Sequence, residues 1–178
     1  MAVNNKTYNN VVNTLKNIGD NHYQIKTTTT GDIWEVNLAK NELFPIMHIN
    51  PTNVVTGQSQ LNYNFQIFVM DLVSEDLGWT NTAIQSSVNL TNEQEVLSDC
   101  LQICTDIIGM LRHGTQQSMQ GVNDINEAKY WIDGEMTLDP FNERFDNLVA
   151  GWVFSISVVV HNDFQSCDIP MGQRGQGE

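Results

Sequence analysis

From Leu61 to Val73 apolar and polar side chains alternate with a period of two, and no other stretch of the chain restricts its fold so strongly. Leu61, Tyr63, Phe65, Ile67 and Val69 fall on one face of the strand that this period dictates. The other face begins with Asn62, Asn64 and Gln66 and ends with Phe68, Met70 and Leu72. Such a strand is covered on one side over its first half and on both sides over its second. At ~3.4 Å per residue it would run about 40 Å, longer than most strands of a compact sheet, so part of it is expected to project or bend toward another chain.

A strand of this kind needs a helix to cover its apolar face, and the segment Asn92 to His113 supplies one. Leu97, Cys100, Leu101, Cys104, Ile107, Ile108 and Leu111 recur at helical spacing. Thr91 with Gln94, or Asn92 with Glu95, fits a capping box. Arg112 and His113 suit the negative end, and Gly114 can close the helix. A shorter amphipathic helix is expected over Asn5–Ile18, with Tyr8, Val11, Val12, Leu15 and Ile18 on one side and Gly19-Asp20-Asn21 as its stop.

The remaining chain reads as strands and loops. Tyr23–Thr30 and Trp34–Leu38, joined at Gly31-Asp32, are expected as a hairpin. Leu43–Ile49 is expected as a strand with Pro45 at an edge or bulge, ended by Asn50-Pro51-Thr52-Asn53. Tyr130–Leu138 alternates until Asp139-Pro140 breaks it, and Gly151–His161 is a last strand bearing Trp152, Phe154, Ile156, Val158 and Val160 on one side. Two long loops are expected, Ser74–Leu90 around Trp79 and the Gln- and Gly-rich Thr115–Asn126. No repeat or linker divides the 178 residues, so residues 1–178 read as a single α+β domain, an antiparallel sheet packed by the 92–113 helix. The Gly-, Gln- and Arg-rich tail 172–178, too polar to order itself, is expected to be held by neighbouring chains.

Composition narrows the function. Twenty-one acidic against eight basic residues give a net charge of −13, which disfavours a surface that grips phosphate. Twenty-one asparagines keep the surface polar with little Lys. Three cysteines without a CxxC pair indicate neither a disulfide scaffold nor a zinc site. The first residues lack the basic and apolar regions of a signal peptide, and no apolar run reaches the ~18 residues that span a bilayer. Synthesis as a soluble cytoplasmic product without membrane contact is the expectation.

Side chains able to carry chemistry are scattered. Cys100 and Cys104 share a helical face, but they lie within its apolar stripe, where free cysteine acts as a small hydrophobe. Cys167 and His161 could form a nucleophile and base, yet no Lys or family signature surrounds Cys167. His22, His48 and His113 stand singly, as surface or satisfied core residues. The carboxylates Asp71, Glu75 and Asp76, and Asp133, Glu135 and Asp139, lack calcium-loop spacing and read as a solvated rim. No glycine-rich phosphate loop occurs. No catalytic residue, metal or cofactor is therefore assigned.

Several strings carry a resemblance. Gly31-Asp32-Ile33-Trp34-Glu35, Phe44-Pro45-Ile46-Met47-His48-Ile49, Asn92-Glu93-Gln94-Glu95-Val96-Leu97-Ser98-Asp99, Leu148-Val149-Ala150-Gly151-Trp152 and Cys167-Asp168-Ile169-Pro170 together resemble small tail and neck proteins of tailed bacteriophages, especially crAss-like podoviruses. The order helix, strands, long helix, strands is also similar to tail-terminator and tail-completion proteins. The loop Thr115–Asn126 has no counterpart in that pattern. The resemblance implies a structural virion protein, a homo-oligomeric ring subunit in the neck or tail that joins the portal side of the head to other tail proteins. DNA passes through such a channel during ejection without specific binding. Candidate interface residues are Asn62, Asn64 and Gln66, Trp79 in its loop, and Arg174 in the tail. The rival readings are a hydrolase using Cys167 and His161 or the carboxylates, and an adaptor module at the virion periphery.

Overall fold

The computed structural model describes residues 8–33, 43–74, 92–113, 130–132, 134–144 and 148–161. The elements run α1 (Tyr8–Asp20), β1 (Thr27–Thr30), β2 (Ile46–Thr56), β3 (Gln60–Leu72), α2 (Glu93–His113), β4 (Tyr130–Ile132), β5 (Leu138–Arg144) and β6 (Leu148–His161). The six strands form one sheet in the order β1-β2-β3-β6-β4, and β5 lies beside β4 along the same edge of β6. Both helices pack on one face of this sheet, so the fold is α+β, as the alternation of periods anticipates.

The long strand does not project unpaired. β2 pairs antiparallel with β3 from Ile46↔Met70 to Thr56↔Leu61, and β6 pairs with its other side from Gln60↔His161 to Leu72↔Val149. β2 can follow β3 this far because it does not end at Asn50–Asn53; the chain passes Pro51 with a register shift between Pro51 and Asn53 and continues to Thr56. β1 pairs β2 only as far as Ile49, so the proline, which lacks an N–H, stands where β2 has become an edge. Pro140 is accommodated likewise, inside β5, which among the described residues pairs only with β6.

Three other expectations are corrected. The pairing of β1 with β2 is parallel, so the sheet is mixed rather than wholly antiparallel. The chain between Thr30 and Ile46 is long enough for the return that a parallel pair requires. Residues 34–38, the expected hairpin partner of β1, lie outside the described residues. The stretch Tyr130–Leu138 divides into β4 and the start of β5 around Gly134, whose φ of 81° is a conformation that side chains with a Cβ rarely adopt. Asn92 precedes α2, but its Oδ1 accepts the Ser74 N–H at 2.7 Å instead of capping the helix.

The core lies between the helices and the first sheet face. Val11 and Leu15 of α1, and Val96, Cys100, Ile103, Cys104, Ile107 and Leu111 of α2, meet Tyr63, Phe65, Ile67 and Val69 of β3. The buried stripe of α2 is rotated from the expected one: Val96 and Ile103 are inside, while Leu101 is 37% exposed. Trp152 Nε1 donates to the Leu97 carbonyl at 2.7 Å and ties α2 to β6. On the second face Phe44, Ile46, Met70 and Val149 form a smaller cluster, with Phe68 and Phe141 edge to face beside it. The apolar end of β3 is therefore covered on both sides.

Two glycines separate close packing from open space. At Gly151 of β6 an added Cβ would collide with the Val69 carbonyl and crowd the Met70 Cα, both on the neighbouring backbone of β3. At Gly109 in α2 it would meet nothing. Gly151→Ala is expected to destabilise by about 2 kcal/mol or more through overpacking. Gly109→Ala is expected to stabilise by about 0.5–1 kcal/mol through helix propensity. Urea denaturation of the two variants checks both signs.

Candidate functional site

The exposed end of the β2–β3 hairpin is the surface that stands apart from the rest. Every residue from Pro51 to Gln60 is exposed, and Val54 and Val55 leave 46% and 52% of their surface in solvent. From Ile49 to Met70 there is no Asp, Glu, Lys or Arg, in a chain with a net charge of −13. Among the described residues no strand pairs with the outer edge of Asn53–Thr56. Solvent-facing valines, an open strand edge and no charge coincide here. Proteins ordinarily blunt such an edge with Lys, Pro or a bulge, and only Pro51 and the register shift beside it do so.

The amides Asn62, Asn64 and Gln66 lie on the second face beside this end. They are half-buried rather than fully exposed. Asn64 Nδ2 donates to Asn53 Oδ1 at 2.6 Å, Thr52 Oγ1 donates to the Asn64 carbonyl at 2.9 Å, and Asn50 Nδ2 reaches Gln66 Oε1 at 3.4 Å. These bonds lock β2 to β3 across the register shift. The Asn62 Oδ1 is buried with no hydrogen-bond partner among the described residues. Trp79 and Arg174 lie outside the described residues, as do Cys167, Glu75, Asp76 and the loop 115–126. So does the tail 172–178.

Chemistry-bearing groups within the described residues are held inert or apart. Burial, with Asp71 and Asp99 adding to it, pushes the Cys100 thiol up to about 12; burial and the neighbouring Cys100 do the same to Cys104. Neither supplies a thiolate at neutral pH. Asp71 accepts the Leu72 N–H at 2.8 Å, and its carboxyl is held above the ordinary range mainly by burial. No group of three or more His, Cys, Asp and Glu able to hold a metal occurs among the described residues. None of the described helices is long and apolar enough to cross a membrane.

His48 is fully buried on the second face. Its Nε2 lies 3.0 Å from the Gly31 carbonyl, which can only accept, so the ring proton sits there and Nδ1 accepts the Thr29 hydroxyl at 2.8 Å. One neutral ring thereby fastens β1 and the turn after it to β2.

A cavity of about 550 Å³ opens between the C-terminal end of α1 and α2, lined among others by Ile18, His22, Tyr23, Asp106, Met110 and Tyr130. Spacing along the chain did not disclose it, because its walls come from elements far apart in sequence.

No protein-family model matches this chain, and no curated protein is similar to it.

His48 also makes stability depend on pH. Burial lowers its pKa, outweighing the Gly31 bond and the charge of Asp32, so the unfolded chain takes up this proton more readily than the folded one. The contribution of the neutral ring is complete above the unfolded value of about 6.5 and is lost as pH falls through the folded value. Asp71 acts in the opposite sense, since acidification relieves the penalty on its buried charge. Comparison with His48→Gln isolates the imidazole: between about pH 7 and pH 5 the unmodified protein is expected to lose more unfolding free energy than the variant. Equal slopes in urea titrations across that range would contradict this assignment.

Proposed function

We propose that this protein is a structural subunit that assembles with copies of itself, as a ring in the neck or tail of a tailed bacteriophage around the path of the DNA. The observation that carries the reading is the uncharged, open-edged hairpin end. Copies with a net charge of −13 repel one another, so a contact between them is most favourable where charge is missing. Pro51–Gln60 is such a place, exposed and carrying apolar side chains.

An edge strand with free backbone groups can take up a strand from a neighbour, and a head-to-tail contact of this kind repeats until the rotation closes a ring. The amides Asn62, Asn64 and Gln66 then flank the contact. The acidic surface left outside it suits a channel wall, because it repels the phosphate backbone and lets DNA slide. In this reading the axial neighbours are portal-side and tail proteins. Of the residues named for a hydrolase, Cys167, Glu75, Asp76 and Asp133 lie outside the described residues.

Light scattering on purified protein tests the reading. The unmodified chain is expected to form a closed oligomer that tightens with added salt, as repulsion between acidic copies is screened. Val54→Lys with Val55→Lys places charge on an already exposed edge and is expected to raise the dissociation concentration at least about tenfold while leaving the thermal midpoint of the monomer unchanged. A strictly monomeric protein at all concentrations, or an oligomer indifferent to the two lysines, would overturn it.

A further inference from the structure

The cavity between α1 and α2 is lined by residues other than those of the hairpin end. Tyr130 is buried at its base, Ile18 and Met110 give apolar walls, and Tyr23 is fully exposed at its mouth. Asp106 is the acid on its wall. Its Oδ1 accepts from Gln102 Nε2 at 3.0 Å, while Oδ2 has only His22 Nε2 at 3.5 Å, too far for a good hydrogen bond. The His22 Nδ1 accepts the Gln24 N–H at 3.3 Å, which orients the ring at the rim of the cavity. The Asp106 carboxylate thus faces a largely apolar cavity with no Lys or Arg against it among the described residues.

We infer that this cavity binds a small organic cation, an ammonium or guanidinium on an apolar or aromatic stem. The charged head meets Asp106 Oδ2, and the stem lies on Ile18 and Met110. Three features select this class. A volume of about 550 Å³ is that of a small-molecule site. A carboxylate on the wall of a largely apolar cavity offers a charge-assisted hydrogen bond to the head of such a cation and apolar contact to its stem. The field of a chain with a net charge of −13 concentrates cations and repels anions at every such opening.

Titration of the full chain with benzylamine, benzyl alcohol and benzoate, followed by two-dimensional NMR, tests this directly. Benzylamine is expected to give saturable shifts confined to the residues lining the cavity, with an affinity about tenfold above that of benzyl alcohol, and benzoate to give none. Asp106→Asn, at a half-exposed position that folding tolerates, is expected to remove the preference for the amine while leaving benzyl alcohol unchanged. Met110→Trp, which fills the cavity from an exposed position, is expected to abolish both. Absence of saturable shifts, shifts spread over the whole acidic surface, binding of benzoate equal to that of benzylamine, or indifference to Asp106→Asn would each overturn the inference.

Discussion

The pairing of β3 along both of its sides holds this fold together. Its odd-numbered side chains from Tyr63 to Val69 are buried beneath α1 and α2, and its backbone groups are taken up by β2 on one flank and β6 on the other. Each of those side chains contributes about 1.5–3 kcal/mol when fully removed from water, but only while the register keeps all of them on the same face. A slip of one residue would turn Tyr63, Phe65, Ile67 and Val69 outward together. The register is held by close backbone approach at Gly151, by the amide bonds across β2 and β3, and by the Trp152 bond to α2.

The same strand pair leads out of the core to a surface of opposite character. Where the helices cover the sheet the hairpin is apolar; beyond that cover it becomes polar without becoming charged. In the proposed assembly, acidic residues on the rest of the chain keep copies apart in every orientation but those that bring the neutral end into contact. Charge would then restrict which contacts form, and the hairpin end would supply the attraction. The proposed cation site beside Asp106 draws on the same field, applied to a small cation instead of a neighbouring subunit.

Much of this fold was legible in the residues, because hydrophobic period reports burial. The helix Glu93–His113, the strand Gln60–Leu72 and the apolar turnover along its second face all follow from spacing. Edges did not, because period is blind to what stands beside a strand. Pro51 and Pro140 read as strand ends, whereas both lie inside strands that have one flank without a partner among the described residues. The parallel partner of β1 was equally hidden, since pairing across a long connection leaves no local mark. Of the candidate site, Asn62, Asn64 and Gln66 were visible as the polar face of β3. The exposed end at Val54 and Val55 was missed because Asn50-Pro51-Thr52-Asn53 resembled a stop. Its signal was nonetheless present: the absence of charge from Ile49 to Met70.

Amide hydrogen exchange of dilute and concentrated protein, resolved at the single residue, addresses self-association through the hairpin end most directly. Slowed exchange at Asn53–Thr56 on concentration, with the amides of β3 protected equally in both samples, is the predicted result. Contradiction would come from protection that appears on concentration at some other surface while Asn53–Thr56 exchanges as fast as before.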